Sequence, residues 1–368
     1  LVPIGTACDS LGCLSQVKVS GGTAKALKGR QVCCDQSPHS KQKKNTVSTK
    51  YFMGVDEAGY GPNLGPLVVA ASLWKAPEDC SEQQFSHALA KHFSTAHWSP
   101  SCQHVPLGDS KKLYATRCGL ATLEAGLLAL QFSLAPACAS LGHFAQRVIR
   151  PEWMDELNAL DWYAGYAAEP IPSVLELTEV LRLSRLAQSK LAPVGIELID
   201  LKAAVVCEPH FNRAVAKSGS KGELLSRTTL ELVAQLLKQC PASAEVFCDR
   251  QGGRKNYLPN LLAAMPDEWF GELQVGPARS SYQSCGARPL TIHFSVGGDS
   301  FPPTALASML AKYLRERLMR PLNAFWQGHL PRLRSTAGYP VDAQRFRAAI
   351  EPVAERLKLS VNQWWRCK

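Results

Sequence analysis

The stretch Tyr51-Phe52-Met53-Gly54-Val55-Asp56-Glu57-Ala58-Gly59-Tyr60-Gly61-Pro62-Asn63-Leu64-Gly65-Pro66, followed by the apolar run Leu67 to Trp74, decides the fold. Tyr51 to Val55 is a short apolar run that suits a strand, and the glycines and prolines after it turn the chain into the second run. Together they read as a hairpin with a wide glycine loop. Asp56 and Glu57 sit where the first strand meets that loop. Neighbouring side chains on a strand point to opposite faces unless the backbone twists, so the glycines that follow have a purpose. A charge pair at the end of a buried strand costs free energy unless it meets solvent, a cation or a hydrogen-bond donor. A divalent metal is a strong compensator; a solvated pair at a loop mouth is the competing reading.

Two other acids repeat the arrangement. Asp249 follows the short strand expected over Glu245 to Cys248, and Asp299 follows Gly297-Gly298 at the end of the strand expected over Leu290 to Val296. Three such strand ends in one chain weaken the solvated reading. In α/β sheets, ligands collect at the carboxyl ends of strands, so acids far apart in sequence can converge there. Oxygen donors in this number suit Mg²⁺ or Mn²⁺, and no His or Cys falls inside the motifs to favour zinc. Two such ions about 3.5–4 Å apart would activate a water and stabilise the leaving oxygen in phosphodiester cleavage.

Around these motifs, Gly119 to Leu130 reads as a helix or a buried strand, which periodicity cannot separate. Residues from about 145 to 200, with Pro151-Glu152-Trp153-Met154 and Glu169-Pro170-Ile171-Pro172, look like an insertion rather than sheet. Glu223 to Lys238 has helical spacing. A later helix is expected with Thr304 as N-cap and Pro321 as its stop; Leu306, Leu310, Leu314 and Leu318 form its apolar stripe. Ser308, Lys312 and Arg315 lie on the other face.

The formal charge of +10 favours an acidic partner such as nucleic acid. It is unevenly spread: residues 1–50 carry +6 and 312–368 carry +8, leaving the middle about −4. An acidic centre with basic flanks suits an enzyme that concentrates carboxylates for metal and attracts phosphate at its periphery. Residues 1–50, rich in Gly, Ser, Thr and Lys, read as a mobile basic tail. The 13 cysteines are scattered and show no zinc spacing, so reduced, mostly buried thiols are expected, although Cys8, Cys13, Cys33 and Cys34 crowd the amino end. No apolar run is long enough to span a bilayer and no secretory signal is evident, which makes a cytoplasmic location the default expectation, with no membrane and no protein partner.

Gly54-Val55-Asp56-Glu57-Ala58-Gly59-Tyr60-Gly61-Pro62, Asp109-Ser110-Lys111-Lys112-Leu113, the Asp249 strand and Ala307-Ser308-Met309-Leu310-Ala311-Lys312 resemble, in order, the motifs of ribonucleases HII and HIII. The resemblance covers about 51–340 with gaps. It implies an α/β, RNase H-like fold with a mixed five-stranded sheet flanked by helices. It casts Asp56, Glu57, Asp249 and Asp299 as metal-binding catalytic acids, served by two Mg²⁺ or Mn²⁺ ions. The implied substrate is an RNA–DNA hybrid or ribonucleotide-containing DNA. The implied organisation is a catalytic domain over 51–325 and a small basic helical extension over 326–368.

The sequence departs from that family in places. The HII branch has Gly-Arg-Gly after the acidic pair, where backbone and side chain read a ribose 2′-hydroxyl; here the middle residue is Tyr60, between Gly59 and Gly61. Asp249 is followed by Arg250-Gln251-Gly252-Gly253 rather than directly by glycine. Lys111 and Lys112 are either phosphate contacts or ordinary solvated lysines. Ser308 and Lys312 either bind the substrate backbone or form the polar face of an amphipathic helix. Tyr339, after Gly338, resembles the family's late tyrosine that stacks by the junction sugar, or it is an ordinary core or surface residue. Two other readings stand beside ribonuclease activity: a nucleic-acid-binding protein that kept the fold without catalysis, and a structure-selective DNA nuclease.

Overall fold

The computed structural model describes residues 48–100, 102–115, 118–286 and 288–367. Nine strands are found among them: β1 (Thr49–Ala58), β2 (Leu67–Pro77), β3 (Phe93–Ser94), β4 (Val105–Pro106), β5 (Glu197–Val206), β6 (Ala244–Asp249), β7 (Phe270–Val275), β8 (Arg279–Ser284) and β9 (Leu290–Ser295). The earlier helices are α1 (Glu82–Ala90), α2 (Ser110–Tyr114), α3 (Gly119–Leu134), α4 (Leu141–Val148), α5 (Pro151–Asn158) and α6 (Leu177–Leu191). The later ones are α7 (Glu208–Ser218), α8 (Lys221–Leu237), α9 (Leu258–Ala264), α10 (Pro302–His329), α11 (Pro340–Arg356) and α12 (Val361–Trp364). Of the tail expected over 1–50, residues 1–47 lie outside the described residues, with Cys8, Cys13, Cys33 and Cys34, while Thr49 and Lys50 already belong to β1.

The architecture is α/β, a large mixed sheet flanked by helices. Its strand order is β5-β2-β1-β6-β9-β8-β7, so the expected five-stranded sheet is extended by β8 and β7. β1 and β2 form the antiparallel hairpin, β5 adds antiparallel to β2, and β6 and β9 run parallel to β1. Both α10 and α8 pack on β1 and β2, and the unbroken burial of Tyr51 to Asp56 leaves neither face of β1 open. A strand covered on both faces reads as a continuous apolar run, which is why this one is so plain in the sequence.

Gly54 sets the distance between sheet and helix. A Cβ at that position would lie 2.0 Å from Thr304 N and 2.1 Å from the Pro303 carbonyl carbon. The start of α10 is therefore in direct backbone contact with β1. Ser72 Oγ donates to Pro303 O at 2.7 Å, and Thr304 Oγ1 donates to Phe247 O at 3.2 Å. Phe301 closes the corner, its ring 4.3 Å from that of Phe247 and 5.9 Å from that of Phe52. Thr304 is thus a bolt to β6 rather than the expected N-cap, and the helix begins three residues earlier, with Phe301 at the cap and Pro302 in the first turn.

Pro321 does not stop α10, which runs on to His329. A proline inside a helix costs about 3 kcal/mol through a lost hydrogen bond and a steric clash. Here Leu318, Leu322 and Trp326 bury the helix on either side of it, and packing outweighs the local penalty. The expected boundary at 325/326 consequently falls inside α10, and α11 buries Phe346 and Ile350 against the remainder. α3 resolves the ambiguity at Gly119 to Leu130 as a helix; it is buried almost all round, so no amphipathic period could mark it. The 145–200 stretch is mostly helical until β5 begins at Glu197, with an irregular segment over 169–176. It is bonded into the core: buried Glu124 on α3 accepts from Ser173 N–H (2.7 Å), Val174 N–H (2.9 Å) and Leu175 N–H (3.2 Å). Arg317 on α10 holds Glu169 at 2.8 Å.

Among the described cysteines none forms a disulfide; Cys102, Cys138, Cys207, Cys240 and Cys248 are buried, and Cys118, Cys285 and Cys367 are exposed. No helix of the described residues is long and apolar enough to cross a membrane.

Gly54→Ala should lower unfolding free energy by roughly 3 kcal/mol, at or beyond the upper end for overpacking, because the obstacle is backbone. Gly253, where a Cβ would meet nothing within 4 Å, is the control. Denaturant titration showing equal midpoints for Gly54→Ala and Gly253→Ala would contradict the direct-contact account.

Candidate active site

Three strand ends bring the acids together. The last aligned pair of β1 and β6 is Val55 with Cys248, so Asp56 and Asp249 are the next residues on neighbouring parallel strands, spaced about 4.8 Å apart across the sheet. Residues aligned in this way share a face, and theirs is the α10 face, where the nearby Ser308 hydroxyl lowers the proton affinity of the Asp56 carboxyl. Ser308 is buried and its Oγ lies 2.8 Å from Ser110 Oγ at the start of α2. On the far side β9 ends, Gly298 N–H donates to Asp249 Oδ1 at 3.0 Å, and Asp299 follows directly. Glu57 N–H donates to Asp56 Oδ1 at 2.8 Å.

One cavity of about 340 Å³ is lined by Asp56, Glu57, Gly59, Tyr60, Gly61, Lys111, Asp249, Lys312 and Tyr339, together with Tyr114 and Arg315. The other expected residues stand beside it. Asp299 and Lys112 line an adjoining cavity of about 450 Å³ with Asp109, and Ser308 lies behind Asp56. Lys112 is 3.9 Å from Asp109 and extends into solvent.

The electrostatics are those of crowded carboxylates. Burial pushes the Asp56 carboxyl up to about 7, with the Asp249 charge adding to the shift. Glu57 is pushed to about 8, again by burial first and then by the charges of Asp56 and Asp249. Asp299 is raised by burial and by Asp109 and Asp249. The compensating cation is Lys111: burial alone would lower it, but Asp56, Asp299, Asp249 and Asp109 together hold it above the usual lysine value. An all-oxygen donor set with surplus negative charge fits Mg²⁺ or Mn²⁺ in kind. The side chains as they stand are not a closed cage, for among the described residues no group of three His, Cys, Asp or Glu is gathered tightly enough to hold an ion.

The glycine loop forms the opposite wall. Gly59 has φ +86°, and a Cβ there would lie 2.4 Å from Arg315 Nε, so a side chain at this position would meet both strain and collision. Tyr60 leans on the first turn of α8: the Lys221 ammonium sits 4.9 Å from its ring centroid, and a Cβ on Gly222 would be 3.6 Å from its hydroxyl. Tyr339 is exposed, with the Arg315 guanidinium 6.0 Å from its ring. Lys312 is already engaged, its Nζ 2.5 Å from Glu316 Oε1 and 4.3 Å from the Tyr114 ring. Arg315 does not share the polar outer face expected for it. It is buried, donating through Nη2 to Leu64 O at 3.2 Å and Ala337 O at 3.0 Å.

No family model matches the chain, and no curated protein matches it. Similar solved structures include several ribonucleases H. They include ribonuclease H2 from Pyrococcus horikoshii OT3, at 15% identity and TM-score 0.37, over 85% of this chain and 92% of that one. RNase HII from Archaeoglobus fulgidus, in a complex with PCNA, gives 15%, 0.36, 86% and 94%. Bst-RNase HIII in complex with Mn²⁺ gives 13%, 0.35, 87% and 67%. At this level of similarity the chain's own geometry carries the functional argument.

Sequence reasoning missed Tyr114, Lys221 and the loop-holding role of Arg315. Tyr114 directly follows the quoted Asp-Ser-Lys-Lys-Leu motif and was within reach; an arginine that turns inward leaves no sequence signal.

The raised carboxyls make stability depend on pH. Unfolded, Asp and Glu titrate near 4. Folded Asp56 and Glu57 titrate at about 7 and 8, so the native chain binds more protons over that interval. Their contribution is fully present below about pH 4 and is lost as pH rises through 7 to 8. In EDTA the melting temperature should therefore fall between about pH 5 and pH 8.5, and Mg²⁺ or Mn²⁺ should restore it at the upper end. The double variant Asp56→Asn, Glu57→Gln should flatten both responses. A wild-type curve that ignores pH and metal alike would refute this assignment of charge.

Proposed function

We propose that this chain is a divalent-metal-dependent endonuclease that hydrolyses the RNA strand of RNA–DNA hybrids to 5′-phosphate and 3′-hydroxyl ends. The observation that carries the reading is the register of β1 against β6, which sets Asp56 beside Asp249 at adjoining strand ends, in one cavity with Glu57 and the glycine loop. Asp56, Glu57, Asp249 and Asp299 would hold the metal. When bound, a pair of Mg²⁺ or Mn²⁺ ions supplies an activated water and stabilises the leaving oxygen in an in-line displacement.

The chain's own residues do the rest. The nearby Ser308 hydroxyl lowers the proton affinity of the Asp56 carboxyl, favouring the ionised form that a cation needs. Lys111 places a positive charge among the acids, where it can neutralise the phosphate entering between them. Gly61, where a Cβ would meet nothing within 4 Å, lets backbone approach a sugar 2′-hydroxyl closely, as recognition of RNA over DNA requires, while Gly59 makes room for Arg315 behind the loop. The exposed Tyr339 ring offers a stacking surface at the cavity rim. Lys112 reaches solvent and can meet phosphate, whereas Lys312 must first leave Glu316.

Tyr60 sets this site apart. Tyrosine has a stacking face and one hydroxyl where an arginine would bring charge and forked donors. Lys221 over its ring supplies a cation from α8 instead. Continuous hybrids should be cut faster than a duplex with a single ribonucleotide, and Tyr60→Arg should shift the kcat/KM ratio toward the latter. A ratio left unchanged by the substitution would remove residue 60 from substrate choice.

The deciding assay compares a continuous hybrid, a single-ribonucleotide duplex and a four-way DNA junction with Mg²⁺ or Mn²⁺. Hybrid cleavage is expected, with Asp56→Asn losing on the order of 10³-fold or more in kcat while still binding hybrid, since phosphate contacts supply most of the affinity. Cleavage of the junction alone would make the chain a structure-selective DNA nuclease. Tight hybrid binding without cleavage by the wild-type protein would make it a binding protein that kept the fold.

A further inference from the structure

Behind the glycine loop lies a buried charged cluster that the cleavage chemistry does not use. Glu208 on α7 is wholly buried and accepts from Gly65 N–H at 3.0 Å and from the Tyr163 hydroxyl at 3.2 Å. Arg315 reaches the loop from α10 through Leu64 O. Arg366, buried as deeply, reaches it from the other end of the sequence. Its Nε donates to Pro62 O at 3.0 Å, and its Nη2 donates to Gly59 O at 2.7 Å and also to Pro62 O. The main chain joins in: Arg366 N–H donates to Asn63 O at 2.8 Å, and Asn63 Nδ2 donates to Arg366 O at 3.2 Å.

The segment carrying Arg366 is itself fastened. Asn212 on α7 donates through Nδ2 to Trp365 O at 2.8 Å and to Asn362 O at 2.9 Å, and accepts from Cys367 N–H at 2.7 Å. The Phe211 ring lies 4.5 Å from the guanidinium, and Trp364 packs edge-on against Trp326. The anchor is therefore rigid where it meets the loop.

Burying two guanidinium groups around one carboxylate is costly. Burial, with the nearby Arg315 charge, lowers Arg366 to about 9. An apolar side chain of similar volume would fill the space at less cost. What only the guanidinium can do here is grip carbonyl oxygens. It holds the Gly59 and Pro62 carbonyls inward, and the N–H groups of Tyr60 and Gly61 between them have no partner among the described residues. Both residues line the cavity that contains Asp56, Glu57 and Asp249. Successive backbone amides fixed in this way are donors awaiting an oxygen.

We propose that Arg366 is a positioning residue for nucleic-acid recognition: its guanidinium fixes the Gly59–Asn63 loop so that the Tyr60 and Gly61 amides stand ready to donate to a sugar or phosphate oxygen of the bound strand. The identity of the bound strand rests on the ribonuclease reading, whereas the clamp on the loop does not.

The test uses the full chain as wild type, Arg366→Lys, Arg366→Gln and Ile350→Ala, the last a buried α11 change that lowers global stability away from the loop. Hydrogen exchange without substrate follows Asn63, Leu64 and Gly65, whose amides are bonded to Gly338 O and Glu208. Steady-state cleavage of a short RNA–DNA hybrid with Mg²⁺ gives KM and kcat. In both Arg366 variants exchange should quicken at 63–65 while β1 and β6 stay protected, and KM should rise on the order of tenfold with kcat changed less than about threefold. Ile350→Ala should show neither effect. Exchange at 63–65 left unchanged, or raised uniformly as in Ile350→Ala, would overturn the proposal, as would an unchanged KM. If the wild-type protein cuts no hybrid, the ribonuclease reading fails by itself, and the exchange pattern still decides whether Arg366 holds the loop.

Discussion

Helix α10 lies directly on β1 because residue 54 has no side chain to hold them apart. The consequences follow from two repeat lengths. One helical turn advances about 5.4–6 Å and two strand residues about 6.6 Å, so the contact of Thr304 with Gly54 is followed by the contact of Ser308 with Asp56. The next turn carries Lys312 to the cavity, and Arg315 reaches the glycine loop beyond it. Substituents on β1 are thus read off in order by residues along one helix. The same helix tolerates Pro321, because the packing that aligns it does not depend on one hydrogen bond.

That packing also dries the site and creates its chemistry. Asp56 would be an ordinary carboxylate in water; under α10, beside Asp249, it holds its proton to about 7. The fold accepts this repulsion in the free protein, with Lys111 as partial compensation. Crowded carboxylates that a cation would relieve are a local conflict of the kind expected at functional sites rather than in a scaffold. On the other wall the charges are reversed: Arg315 and Arg366 are buried so that backbone is held still. One side of the cavity is arranged for charge, the other for geometry.

Much of this was legible in the sequence, for identifiable reasons. The β1–β2 hairpin, β6 and β9 are buried strands bounded by glycine or acid, and each appeared as a short apolar run with a clear end. The four acids were legible because each stands at such an end. β8, with Arg279, Ser280, Ser281 and Gln283, and β7, exposed from Gly271 to Val275, lack an apolar alternation and were not foreseen. β5 was not foreseen, its first residues lying at the end of the supposed insertion, and α3 hid its helical period by being buried all round. Arg315 and Arg366 were the least visible: arginine in a basic segment reads as solvated surface, and only tertiary contacts reveal that both are nearly inaccessible.

The most direct measurement is anomalous diffraction at the manganese edge from crystals grown with Mn²⁺. The account predicts a strong peak in the cavity between β1 and β6, within coordination distance of carboxylate oxygens of both Asp56 and Asp249 and lost in Asp56→Asn. Manganese bound only elsewhere, or a cavity empty of metal at saturating Mn²⁺ with Lys111 still among the acids, would contradict it.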